Sequence, residues 1–275
     1  MGILYVVATP IGNLKDITLR ALEVLKKVNV IACEDTRVTR KLLNHYGIEG
    51  KKLIPYHEHN EEKAAEKIIK ILEEEDVALV SDAGTPCISD PGYRVVRKAW
   101  EKGFTVSPIP GPFAGAAALS ASGLPSDKFI FIGFLPHKEK AKKETIERFK
   151  NLGITFIAYE SPHRLLETLS FYKEICPNSQ LVVAKELTKI HERFIRGTPQ
   201  DVYQIFNENP DFLKGEFVIL CYPEEEKNVF SEEEILKLAI SLKEKGLKTK
   251  EIAKEISKKT GISKNQIYEI LIKNF

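Results

Sequence analysis

The stretch that decides the fold is Val77-Ala78-Leu79-Val80-Ser81-Asp82-Ala83-Gly84-Thr85-Pro86-Cys87-Ile88-Ser89-Asp90-Pro91-Gly92. Its first five residues are apolar or small, two of them β-branched, the signature of a strand buried on both faces. The next eleven have no helical or strand period. Gly84 and Gly92 permit backbone shapes that other residues resist. Pro86 and Pro91 stiffen the chain and remove donors. Such a loop is longer than most strand-to-helix connections, and long loops at a sheet edge commonly serve a ligand.

The same rhythm extends outward. Apolar runs recur at Ile3–Ala8, Val28–Ala32, Leu53–Tyr56 and Phe104–Pro108, with helical patterns at Thr18–Lys27, Thr36–Tyr46 and Asn60–Glu74. Thr36 and Asn60 read as helix caps. Five strands alternating with helices predict a parallel sheet covered on both sides, an α/β domain over 1–125. Ligands of such sheets bind beyond the carboxyl ends of the strands.

A second pattern occupies 126–225. Strands are expected at Lys128–Phe134, Thr155–Tyr159, Leu181–Glu186, Glu192–Arg196 and Glu216–Cys221, with helices at Lys138–Asn151, Pro162–Ile175 and Pro199–Asn207. Ser161-Pro162 and Thr198-Pro199 are cap-then-proline starts. No helix fits between Leu181–Glu186 and Glu192–Arg196, so they form a hairpin and the sheet is mixed. A polar link over 223–231 leads to a helical module, 226–275. Its pattern is Glu234–Lys245, then a helix opened by Thr249, a turn at Gly261, and Lys264–Ile272, an outline of helix-turn-helix. The tail from Ser231 to Phe275 carries ten lysines against seven glutamates.

Composition narrows the partners. Net charge is only +2, so nucleic-acid contact requires local basic surface. Three clusters supply it: Arg37, Arg40 and Lys41; Lys138, Lys140, Lys142 and Lys143; and Lys185, Lys189, Arg193 and Arg196. Cys33, Cys87, Cys176 and Cys221 are dispersed and form no C-x-x-C pair, which favours reduced, buried thiols over disulfide or metal. No basic leader and no membrane-length apolar run is present, so a cytoplasmic protein without membrane contact is expected. The first loop, Thr9 to Asp16, lacks the G-x-G-x-x-G spacing of a dinucleotide site.

Several motifs occur in a fixed order: Leu4 to Leu14 with Asp16, Cys33 to Arg37, Ser81 to Gly92, Pro110-Gly111-Pro112, Gly133 to Pro136, Tyr159 to Arg164, Lys185 to Lys189 with Glu192, and Gly215-Glu216-Phe217. Together they resemble the tetrapyrrole (corrin/porphyrin) methylase family over about residues 1–225. The resemblance implies two α/β domains that hold S-adenosyl-L-methionine between them, in subunits that pair as homodimers. Thr9-Pro10-Ile11-Gly12-Asn13 stands where porphyrin-methylating members have a Gly-Pro-Gly-Asp type of loop. That departure favours the branch that methylates 16S rRNA of the small ribosomal subunit, at a cytidine ribose 2′-oxygen. By motif position the resemblance implies cofactor contacts from Asp82, Ala83, Gly84, Thr85 and Ile88, from Phe113 and Ala114, from Tyr159 and Glu160, from Gly215, Glu216 and Phe217, and from Pro10.

Methyl transfer from a sulfonium needs no metal. Candidates for a general base are Asp35, Glu160, His163, Lys185 and Glu186, all at expected strand ends or adjoining loops. Each has a structural alternative, such as capping the next helix. A tetrapyrrole or protein side chain as acceptor, and a non-enzymatic RNA-binding protein, stand as the competing functions.

Overall fold

The computed structural model describes residues 1–224, 232–244, 246–260 and 262–274. Most of the expected link over 223–231 lies outside the described residues, as do Lys245, the Gly261 of the expected turn, and Phe275.

The chain alternates β1 (Ile3–Val7), α1 (Leu19–Lys27), β2 (Val30–Cys33), α2 (Thr36–His45), β3 (Lys52–Pro55), α3 (Glu61–Leu72), β4 (Val77–Val80), α4 (Tyr93–Glu101), β5 (Thr105–Ile109) and α5 (Ala114–Ser122). The five strands are all parallel, in the order β3-β2-β4-β1-β5. β2 and β4 are buried along their whole length, because helices cover both faces. Leu4, Ile54, Leu79 and Val95 fill one face, and Val7, Leu25, Ile31 and Val80 the other.

There follow β6 (Phe129–Phe134), α6 (Glu139–Lys150), β7 (Thr155–Glu160), α7 (Pro162–Ile175), β8 (Gln180–Lys185), β9 (Arg193–Gly197), α8 (Pro199–Glu208) and β10 (Phe217–Tyr222). Their order is β6-β7-β10-β8-β9, with β6 parallel to β7 and every other pair antiparallel. β8 and β9 make the expected hairpin. α7 and α8 cover one face of this sheet, through Leu165, Leu169 and Phe206. The other face is covered by α5, whose Ala118 and Leu119 pack on Ile157, Val182 and Leu220. The small residues of α5 thus let a helix that follows the first sheet lie close on the second. Both sheets belong to one compact unit, Met1–Glu224.

The second unit, Glu225–Phe275, contains α9 (Glu232–Glu244), α10 (Thr249–Thr260) and α11 (Lys264–Asn274). Ile235, Ala239, Ile252, Ile256, Ile267 and Leu271 form its own core.

Some local expectations are corrected. The cap of α2 is Asp35, whose carboxylate accepts from the Arg37 N–H, and Thr36 is the first helical residue. Asn60 does not cap α3 through its side chain; its amide bonds the His57 N–H and the Pro55 carbonyl instead. Thr249 is the first helical residue of α10, which runs to Thr260. Thr198 forms the full reciprocal capping box with Asp201.

No helix among the described residues is long and apolar enough to cross a membrane. Cys33, Cys176 and Cys221 are buried free thiols, and Cys87 is half-buried and free.

Candidate functional site

Three loops leave the carboxyl edge of the first sheet and are stapled to one another. Thr9 and Gly84 exchange two backbone hydrogen bonds, of 2.8 and 3.0 Å. The Thr9 hydroxyl also donates to the Ser81 carbonyl at 3.1 Å. The Thr85 hydroxyl donates to the Pro112 carbonyl at 3.0 Å, which ties the second loop to the third. At Gly111 a side-chain carbon would stand 2.9 Å from the Ala8 methyl, so only glycine lets the chains cross there. The middle loop holds Cys87 and Ser89 at φ of 71° and 62°. Non-glycine residues at positive φ are uncommon and gather at functional sites.

The second half meets these loops edge on. The Asn13 N–H donates to the Thr188 hydroxyl at 3.0 Å. At Gly12 a side-chain carbon would collide with Thr188, Lys189 and the Leu187 carbonyl, all within 2.9 Å. Gly133, at φ 66°, passes so close to Ser89 that an added carbon would lie 2.7 Å from its hydroxyl.

Between the two sheets lies a cleft of about 440 Å³, within the size range of small-molecule and cofactor sites. One wall is nearly bare backbone: Ala83, Gly84 and Thr85, with Ala114 beyond them. Another is aromatic. Phe113 stands edge-on to Phe131 at 5.0 Å, and Phe131 and Phe134 stand edge-on to Tyr159 at 4.9 and 5.5 Å. Burial pushes the Tyr159 phenol up to about 12. Glu34, Asp82 and Asp90 also line the cleft. None of the three makes a salt bridge to a cation among the described residues. Burial, then the charge of Glu34, pushes Asp90 up to about 7; burial likewise raises Glu34 and Asp82.

Twelve of the thirteen cofactor contacts implied by the motifs line this one cleft: Asp82, Ala83, Gly84, Thr85, Ile88, Phe113, Ala114, Tyr159, Glu160, Gly215, Glu216 and Phe217. Pro10 faces a neighbouring cavity instead. Of the proposed bases only Glu160 reaches the cleft. Its side chain is fully buried and saturated: it accepts from Arg164, from the Ser161 N–H and from the Thr168 hydroxyl. Asp35 caps α2 and pairs with Arg37, which holds its carboxyl down to about 2. Glu186, at φ 52°, bonds the Glu216 N–H and Lys189, and its carboxyl occupies the space a side chain at Gly215 would need. Lys185 is buried against the Phe217 ring. His163 is exposed in the first turn of α7.

In the two other expected basic clusters several cations are paired or buried, while Lys138 and Arg196 stay exposed and outside any ion pair among the described residues. Lys142 is fully buried and bonds Glu167 and Thr168, Lys143 pairs with Glu139 and Glu174, and Lys140 with Glu144. On the hairpin, Lys185 is buried, Lys189 pairs with Glu186 and Glu216, and Arg193 lies over the Phe212 ring. Periodicity cannot distinguish a lysine pointing at solvent from one drawn to an acid on the next helix. On α2, Arg40 and Lys41 remain exposed and outside any ion pair among the described residues.

The motifs did not single out Glu34, Asp90, Ile11 or Leu187 as lining residues. Asp90 stood in the quoted loop and Glu34 beside Asp35, so composition offered a signal. Ile11 and Leu187 also stood in quoted motifs, but as plain apolar residues, and their role comes from the meeting of the halves.

Residues 3–203 match the family described as Tetrapyrrole (Corrin/Porphyrin) Methylases. This chain belongs to that family. Curated relatives of this methylase include proteins named ribosomal RNA small subunit methyltransferase I. Those of Halalkalibacterium halodurans and Bacillus subtilis are each 44% identical over 98% of this chain and 94% of their own. A Hydrogenobaculum relative of the same name is 47% identical over 80% of this chain and 96% of its own. Among solved structures, diphthine synthase superposes with a TM-score of 0.63 at 16% identity, covering 80% of this methylase and 90% of that chain. The uroporphyrin-III C-methyltransferase of Thermus thermophilus gives 0.54 at 20%, covering 80% and 94%. Those two likenesses establish the fold.

The residues present fit S-adenosylmethionine. A glycine- and alanine-walled slot beside aromatic rings suits an adenosine moiety. Three acids without a salt-bridge partner among the described residues suit a ligand that carries an ammonium and a sulfonium.

Proposed function

We infer that this chain is an S-adenosylmethionine-dependent methyltransferase that modifies 16S rRNA of the small ribosomal subunit, at a cytidine ribose 2′-oxygen. The observation that carries this is the 44% identity, over nearly the full length of both chains, to proteins named for methylating small-subunit ribosomal RNA.

The donor supplies a methyl group on a cationic sulfur, activated without a metal. The protein's part is to hold two reactants in line, which accounts for much of the acceleration in such reactions. Gly84, Thr85 and Ala114 provide the close backbone wall, Phe113 and Tyr159 the apolar face, and Asp82 and Asp90 the negative field. Glu160 with Arg164 and Thr168 fixes the end of β7, and Glu186 with Lys189 fixes the start of β10 at Gly215. A ribose hydroxyl must lose its proton. Asp35, Glu160, His163, Lys185 and Glu186 remain the candidates to take it, tested by alanine replacement with donor affinity measured alongside turnover. If all five variants keep wild-type turnover, no base acts from this set.

The three-helix tail serves as an RNA-docking module in this proposal, the subunits pair as homodimers, and the protein works in the cytoplasm. Mapping 2′-O-methylation on ribosomal RNA from cells with and without the gene tests the whole reading. One cytidine methyl in the small-subunit RNA is expected to vanish without it. An unchanged map removes the proposal.

A further inference from the structure

A second cavity, of about 180 Å³, lies beside the main cleft between the first loop and α2. Its walls are Thr9, Pro10 and Leu14 from the loop, and Val38, Lys41 and Leu42 from the helix. The Tyr46 hydroxyl, just past the end of α2, donates to the Leu14 carbonyl and fixes the loop against that helix. Leu14 and Val38 are each 38% exposed, so the mouth is apolar and open. Asp82 lines both this cavity and the main cleft. One of its oxygens accepts from the Asp35 N–H at 3.0 Å.

We propose that this cavity receives the pyrimidine base of the nucleotide being methylated, and that Asp82 reads the exocyclic amine of a cytosine there. The proposal rests on the RNA reading above and adds the acceptor's seat to it. Apolar walls at Pro10, Leu14, Val38 and Leu42 provide a slot into which one planar ring packs, as bases extruded from an RNA pack on apolar and aromatic side chains. A carboxylate accepts a hydrogen bond from the cytosine amine. Uracil presents a carbonyl oxygen at the same position, and two acceptors repel. Charge complementarity points the same way. On α2, Arg40 and Lys41 are exposed and outside ion pairs among the described residues, and Lys41 is itself a wall of the cavity. Arg40 and Lys41 therefore lie where the phosphates flanking a seated base would pass. The shared Asp82 brings the acceptor's ribose to the boundary between the two cavities, where a donor in the cleft has to meet it.

The test fills the slot. Val38→Trp and Leu42→Trp are made in the full chain, and the KM for small-subunit RNA is measured beside the dissociation constant for S-adenosylmethionine. Val38 is partly exposed, so at least that variant retains the fold; melting temperatures check both. The expected result is a KM for RNA raised tenfold or more with donor affinity changed less than twofold. Lys41→Ala is expected to lower the salt dependence of RNA binding by about one counterion. Asp82→Asn is expected to reduce the preference for a cytidine over a uridine at the target by about tenfold. Wild-type KM in both tryptophan variants, or an unaltered cytidine preference in Asp82→Asn, overturns the proposal. If the wild-type protein methylates no small-subunit RNA, it is the function that fails, a distinct outcome from active slot variants.

Discussion

Glu160 and Asp90 show how two carboxyls lining the same cleft come to opposite uses. Glu160 receives charged and hydroxyl donors and has no exposed side-chain surface. Replacing it with Gln leaves Arg164 without its partner in a buried setting, and breaking such a pair costs about 3 kcal/mol. Chemical denaturation of Glu160→Gln is expected to show that loss. Asp90 is raised from 3.8 to about 7, chiefly by burial. The folded protein therefore holds a proton that the unfolded chain has released. Native stability should fall as pH rises from about 4 to 7 and level off above, and Asp90→Asn should remove that slope. A cationic ligand in the cleft favours the ionised carboxylate, so uptake of S-adenosylmethionine near pH 6 should release protons. Calorimetry in buffers of different ionisation enthalpy measures that number, and equal heats across buffers would contradict the placement of the cation near Asp90.

At the scale of elements, the site is held by seams between loops rather than by any one strand. Gly12 is a tight point of contact between the first loop and the loop after β8. Gly12→Ala forces Leu187 and Thr188 apart from Ile11, and both Ile11 and Leu187 line the cleft. Its expected effect is weaker donor binding, by severalfold or more, with the melting temperature changed only slightly. Donor affinity equal to wild type would show that the seam has slack. The motif order was readable because each motif sits at a strand end. The spent lysines of α6 were not, because Glu167 and Glu174, which neutralise them, come from α7.

For the whole molecule, each compact unit has its own hydrophobic core. A chain ending at Glu224 is expected to fold and to keep its affinity for S-adenosylmethionine while binding RNA more weakly. Thermal unfolding reports donor binding directly: at one hundred times the dissociation constant, the native state gains about 2.7 kcal/mol. Loss of that shift in the truncated chain would tie the tail to the cleft and remove it from a docking role.

By itself the sequence determined the element order, the parallel and mixed sheets and the loops that carry the site. Those follow from side-chain period, β-branched runs and turn residues, which act over a few positions. Tertiary structure alone decided which acids stay charged, which lysines are neutralised and that Pro10 and Asp82 border a second cavity. Such properties depend on what an element meets across the fold, and residues far apart in the chain leave no mark on each other's local pattern.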